Sequence, residues 1–328
     1  MTNPGRSVAV TGAGGFIGTR VCAALAATGA AVTGVDRDPE AAARVEAAGA
    51  RFAVADVTDP TLLTSVLQGH GGVVHTAALV AEGGSMEASI EVNVRGTRNV
   101  LDAAEAVGAD RIVHVSSVAV WGYEFGDRLD EDAPTRRSGN PYIDTKAASD
   151  ELARRRGATV VRPGDVYGPG SVQWSVRPVQ LLRSGRMMLP DGGRGLLTPI
   201  YIDDLVDCVV RALRHPDAGG QTFVAWDGEA VTAREFFGHY ARMVGRAKIP
   251  SVPAPVLRAG VRVQSVLERL AGRPASLEPD AAIFLSRRAT YPNDRAREVL
   301  GWEPQVDLAE GMRRTEAWLR AEGLLSSA

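Results

Sequence analysis

The sequence predicts an α/β fold: a doubly wound parallel sheet followed by a smaller, mainly helical C-terminal region. Three observations carry this. Six short apolar runs alternate with helical patterns over the first half of the 328 residues. The first run, Val8–Val10, leads into a glycine-rich turn, TGAGGFIG (11–18). From Gly164 onward proline, glycine and tryptophan become frequent, and helical stretches are no longer separated by clear strands. Continuous apolar strands alternating with helices imply a parallel sheet covered on both faces, and right-handed crossovers make it doubly wound.

Taken in order, strands are expected at Ser7–Val10, Ala31–Val35, Arg51–Ala55, Val73–Thr76, Arg111–Val115 and Ala158–Val161. Helices are expected at Phe16–Thr28, Pro39–Ala48, Pro60–Leu67, Ala88–Val107 and Pro141–Arg156. The glycines after the first strand have separable roles. Gly12 takes the positive φ of the turn, Gly15 lets a pyrophosphate approach the backbone, and Gly18 lets the helix pack closely on the strand. The unpaired N–H groups of the first helical turn then face the phosphates. The spacing is Gly-x-x-Gly-x-x-Gly. Asp36 ends the second strand, where a carboxylate accepts hydrogen bonds from both adenosine ribose hydroxyls and repels a 2′-phosphate, so NAD is the expected cofactor. Arg37 beside it is the one residue that favours NADP.

Ligands of such sheets sit at the carboxyl ends of the strands. Asp56-Val57 follow the third strand, where they flank an adenine, and His75-Thr76-Ala77-Ala78 follow the fourth, small enough for a close backbone approach. Ser116-Ser117 follow the fifth. Asn93 reads as an N-cap. Asn140-Pro141 start a helix with a capping residue and a proline at its first position. Tyr142 and Lys146 then lie four apart on one helix face. Of 37 basic residues only Lys146 and Lys248 are lysine, so a compact ammonium at 146 points to a role for its size or point charge. A Ser117, Tyr142 and Lys146 set is suited to acid–base work. A nearby ammonium and the positive ring of an oxidised nicotinamide lower the phenol's pKa, and Ser117 hydrogen-bonds the same substrate oxygen. The cofactor accepts or donates the hydride.

Composition excludes other classes. Net charge is −2 and the pI about 6.3, with no basic footprint for nucleic acid. No apolar run reaches membrane-spanning length, so no membrane partner is expected. Five scattered histidines show no metal-ligand spacing. Cys22 and Cys208 read as buried free thiols. MTNPGRSVAV carries no secretory signal, and a cytoplasmic location is expected.

The motifs TGAGGFIG, Asp36, Asp56-Val57, HTAAL, NVRGTRN, VSSVAVWG, Tyr142-x-x-x-Lys146 and RPGDVYGPG occur in the order seen in extended short-chain dehydrogenases/reductases, the NAD-dependent epimerase/dehydratase superfamily. The resemblance continues through PIYIDDLVDCVVRAL (199–213) and LGWEP (300–304). It implies a Rossmann-type NAD-binding domain over 1–163, to which 199–225 returns, and a substrate-binding cap within 164–328. It makes Ser117, Tyr142 and Lys146 catalytic. Gly12, Gly15, Phe16, Ile17, Asp36, Arg37, Asp56, Val57, Ala77, Ala78 and Pro163 become cofactor contacts, joined by Tyr142 and Lys146. It also implies a homodimer built on the helices Asn93–Val107 and Pro141–Arg156.

Two departures bear on substrate. Sugar-nucleotide members carry Asn where this chain has Asp165, and an arginine near where it has Leu197-Thr198-Pro199, although Arg194 and Arg177 are available. Dehydratases carry Thr-Asp-Glu in place of Ser116-Ser117-Val118. The chain resembles the 3β-hydroxysteroid dehydrogenase and dihydroflavonol reductase side of the superfamily. This implies a NAD-dependent oxidoreductase acting on a secondary alcohol or ketone of largely apolar, sterol- or flavonol-like character. Trp174, Met187 and Met188 are candidates for an apolar pocket, with core packing as their plainer role. The alternatives are an NDP-sugar 4-epimerase and a non-catalytic NAD(H)-sensing protein.

Overall fold

Val8 and Val10 point to one side of a sheet and Ala9 to the other, and all three are buried because both faces are covered. The computed structural model describes residues 7–80, 85–124, 128–270 and 280–325. The strands β1 (Val8–Thr11), β2 (Val32–Asp36), β3 (Arg51–Val54), β4 (Gly72–His75), β5 (Arg111–Val115) and β6 (Thr159–Pro163) are all parallel. Their spatial order is β6-β5-β4-β1-β2-β3, and Thr222–Ala225 adds a seventh parallel strand beside β6. The order reverses between β1 and β4, which opens a crevice at their carboxyl ends.

The helices are α1 (Phe16–Ala27), α2 (Ala42–Ala47), α3 (Pro60–Leu67), α4 (Met86–Ser89), α5 (Gly96–Ala106) and α6 (Pro141–Arg155). On one face Val10 packs with Val21, Cys22 and Leu25 of α1 and with Leu205 and Val209 of the helix Ile202–Arg214. On the other Ala9 and Val73 pack with Leu63 and Leu67 of α3 and Val100 of α5. Cys22 and Cys208 are buried free thiols, with burial pushing both pKa values up.

Three local expectations are corrected. The single helix expected over Ala88–Val107 begins at Met86 and is interrupted by a π turn at Ile90–Arg95. Pro39–Ala48 is a 3-10 turn, Pro39–Ala41, that passes into α2. Beyond Gly164 there are short strands after all: Asp165–Tyr167 with Pro199–Tyr201, Leu196–Leu197 with Val231–Thr232, and Leu189–Pro190 with Ser251–Val252. At two or three residues each they are too short to show an alternation in sequence.

Candidate functional site

The glycine turn is built as its spacing demands. Gly12 has φ +73, and a Cβ there would lie 2.6 Å from the Ala77 backbone; one on Gly18 would lie 2.1 Å from the Gly12 carbonyl. Gly15 is the N-cap of α1 and offers no side-chain cap, so the first N–H groups of α1 are left for a ligand. A Cβ on Gly15 would meet only the Gly12 oxygen, at 3.2 Å, within the cradle. This bare helix start at the crevice fits a dinucleotide pyrophosphate.

At the outer end Asp36 accepts from Gly14 N–H at 2.9 Å and Asp38 N–H at 3.1 Å, which leaves lone pairs for ribose hydroxyls. The exposed Arg37 guanidinium lies 4.0 Å from Asp56, whose other oxygen takes the Thr58 N–H and hydroxyl. Val57 has its side chain in the core, and its carbonyl accepts from Asn99.

A cavity of about 1110 Å³ runs from the glycine turn into the C-terminal half. Gly12, Gly15, Phe16, Ile17, Ala78, Ser117, Tyr142 and Pro163 share its wall. Asp36, Arg37, Asp56, Val57, Ala77 and Lys146 are not on that wall. Trp174, Met187 and Met188 line it, with Trp174 also packed against Phe236, Phe237 and Phe284.

Asn140 starts α6 by accepting from Tyr142 N–H at 2.9 Å and Ile143 N–H at 3.2 Å. That cap aims Tyr142 into the cavity, and its hydroxyl hydrogen-bonds Ser117. Ser117 also caps a short 3-10 turn, accepting from Ala119 N–H at 3.1 Å. Beneath it Ser116 donates to Asp150 at 2.7 Å, and the buried Arg162 grips the same carboxylate through two bonds of 2.8 and 2.7 Å. This ties the end of β5 to α6 and β6. Lys146 is buried and donates to the Val115 carbonyl at 2.8 Å, with burial lowering its pKa to about 8.

The phenol departs from expectation. Enclosure by protein raises the Tyr142 pKa, the Ser117 hydrogen bond opposes this, and the Asp165 carboxylate adds to the rise. The Lys146 ammonium is bonded to the Val115 carbonyl rather than to the phenol. Burial by the protein therefore favours the neutral phenol.

Asp165 also departs. Its carboxylate is paired with buried Arg287 and accepts from Thr198 N–H at 2.8 Å. A carboxylate at this position would repel a substrate diphosphate, and the Arg287 guanidinium beside it offsets that charge. Arg177, Arg186 and Arg287 line the cavity, and Arg194 is exposed away from it.

Three residues are not singled out by sequence for the roles they hold. Arg287 looks like any other arginine. Tyr123 shares the cavity and packs edge-on against Phe284 at 4.9 Å. Asn93 is no cap: from the π turn its amide holds Leu79 through both main-chain groups, at 2.6 and 3.1 Å, and reaches Thr145 at 3.0 Å. It thereby ties the loop after β4 to α6. The π turn gives no sequence signal of its own.

Residues 8–225 match the model of the NAD dependent epimerase/dehydratase family. The chain belongs to that family, whose members are NAD-dependent reductases and epimerases of the extended short-chain dehydrogenase/reductase superfamily. It is 30% identical to a 4-hydroxy-2-methyl-3-oxo-4-farnesyl-3,4-dihydroquinoline-1-oxide ketoreductase of Stigmatella aurantiaca, over 92% of this chain and 93% of the relative. It is also 30% identical to a UDP-glucose 4-epimerase of Mycolicibacterium smegmatis, over 95% and 97% respectively. Among solved structures it resembles MoeE5 in complex with UDP-glucuronic acid and NAD, with a TM-score of 0.76, 25% identity and coverage of 96% of this chain and 99% of that one. NAD is the cofactor of the family, and the glycine turn and Asp36 are the groups of this chain that fit it.

Proposed function

We propose that this protein is a NAD-dependent reductase or dehydrogenase that interconverts a secondary alcohol and a ketone of largely apolar character. The observation that carries the reading is the cavity beside Tyr142. Its far wall is built from Trp174, Leu181, Met187, Phe237, Leu257 and Phe284, a surface suited to hydrocarbon. The related ketoreductase, whose name includes a farnesyl group, points the same way.

In reduction a dinucleotide held by the glycine turn would supply the hydride that the carbonyl carbon accepts. Tyr142, held as a neutral phenol, gives its proton to the carbonyl oxygen. Ser117 holds that oxygen and the phenol in line, and Lys146 braces the helix turn beneath them through Val115. The glycine turn and Asp36 hold the cofactor, and the region from 164 onward, apart from 199–225, shapes the substrate side. Assembly as a homodimer through α5 and α6 belongs to the same proposal and is tested by light scattering.

The second reading, a nucleotide-sugar 4-epimerase, draws on Arg177 and Arg186 in the cavity wall and on the related UDP-glucose 4-epimerase. A panel of apolar ketones, alcohols and nucleotide sugars separates the two. NADH consumption with apolar ketones supports the first. Epimer formation without net NADH change, together with micromolar UDP binding, overturns it in favour of the second. Tight NAD(H) binding with no turnover of any kind favours a sensor.

A further inference from the structure

The helix Ala254–Leu270 has two apolar faces. Leu257 and Val261 are buried and line the cavity. The opposite face is exposed, with Val256, Val263, Leu267 and Leu270 at 59, 60, 60 and 80% and Val266 at 54%. The first four recur at steps of seven, four and three, which forms one stripe along a helix. Five of the eleven large apolar side chains left exposed among the described residues lie on this one helix. Single exposed apolar residues need no explanation, but a contiguous row marks an interaction surface.

Three further features select the occupant. First, among the described side chains of this helix the only exposed charged one is Arg262, with Arg258 and Glu268 half-buried. A two-fold pairing with a second copy is self-complementary and brings this face against itself, so it sets Arg262 near its own mate, whereas an anionic surface answers the charge. Secondly, Val256, Gly260 and Met188 are exposed and also line the cavity, so the cavity mouth opens at the foot of the stripe. Thirdly, five side chains on one helix fall short of the ~800 Å² per partner of a stable protein interface, yet they suffice for a helix lying in a lipid headgroup layer.

We propose that the outer face of Ala254–Leu270 docks on an anionic lipid surface, with the helix in the interface plane and the cavity mouth facing the lipid. No helix among the described residues is long and apolar enough to cross a membrane, and a surface-lying helix has no need to be, because its apolar residues are periodic rather than continuous. The proposal goes beyond the reaction and does not depend on it, since its readout needs no turnover.

The test is co-sedimentation of the NAD-loaded protein with phosphatidylcholine vesicles containing phosphatidylglycerol. The wild type is expected to sediment with these vesicles and to be released by salt. Val263→Asp combined with Leu267→Asp is expected to lower the partition coefficient at least tenfold. Both positions lie outside the cavity wall, and an unchanged thermal melting curve shows that the fold is kept. No sedimentation by the wild type, or equal sedimentation by the double variant, overturns the proposal. A dimer that the double substitution dissociates, with no vesicle binding, overturns it too and assigns the face to a second copy.

Discussion

The carboxylate of Asp165 is held by the guanidinium of Arg287, 122 residues further along the chain, and both side chains are buried. Arg287 also donates to the Leu196 carbonyl at 3.0 Å and lies over the Phe284 ring at 4.1 Å. The pair therefore joins the strand that leaves β6 to the segment that closes the far side of the cavity. Burial raises the Asp165 pKa, with Arg287 and Thr198 opposing it. The charge of Asp165 is paired with that of Arg287 in the cavity wall, which both residues line.

Arg287→Leu leaves a buried carboxylate without its partner and is expected to cost about 3–5 kcal/mol. Asp165→Asn in the same chain removes the orphaned charge and is expected to recover most of that loss. Urea unfolding of the two single variants and the double variant measures the coupling. Simple additivity would show that the contact contributes little.

Tyr142→Phe is expected to lower turnover by about a hundredfold or more, the scale of losing general acid–base catalysis, while NADH affinity stays within about twofold, since the glycine turn and Asp36 are untouched. Lys146→Arg is also expected to be damaging. The buried ammonium fits a 2.8 Å bond to Val115, and a planar guanidinium does not fit that space. Retention of most activity by Tyr142→Phe would remove it from the mechanism.

NADH is expected to bind at least tenfold more tightly than NADPH. A 2′-phosphate beside Asp36 meets like charge, worth ~4 kcal/mol at about 4 Å and an effective dielectric of 20. Arg37 is drawn toward Asp56 at 4.0 Å and offers weak relief. Asp36→Ser is expected to narrow the preference. Fluorescence titration of both cofactors gives the ratio.

Asp227 controls part of the pH dependence of stability. Both of its carboxylate oxygens are buried, and burial, with Asp204 nearby, raises its pKa to about 8 against the opposing pull of the Tyr201 main-chain N–H. The unfolded value is lower, near the usual carboxylate range. The buried neutral acid is thus fully favourable only below that range, and its contribution is lost as pH rises toward and through about 8. Asp227→Asn mimics the protonated form and does not titrate. Its stability advantage over wild type is expected to grow between pH 5 and pH 8 to about 3 kcal/mol or more, at ~1.4 kcal/mol per pH unit. Urea unfolding across that range checks it; an advantage independent of pH would show that Asp227 ionises normally.

Much of this molecule is legible in its sequence, and the reason is local. A strand, a glycine turn and a helix start follow one another within eleven residues, so the geometry of Gly12, Gly15 and Gly18 is written in consecutive positions. Tyr142 and Lys146 are four apart after a capping Asn140, and helix periodicity alone puts them on one face. The sheet follows from six apolar runs separated by helical patterns, with boundaries displaced by a residue or two because strand ends are set by pairing partners. The meaning of Asp165 is not legible, because its counter-charge comes from Arg287 and its backbone donor from Thr198. The direction of the Tyr142 shift is not legible either. It depends on how much protein encloses the phenol and on where the Lys146 ammonium points, and neither is encoded within a helical turn. Asn93 is a tie between the loop after β4 and α6 rather than a cap because its helix begins earlier and opens into a π turn. Sequence alone determined the elements and the local chemistry, since these arise from neighbouring residues. Tertiary structure decided the charge state and surroundings of the site, since burial and ion pairing depend on residues that meet only when the chain has folded.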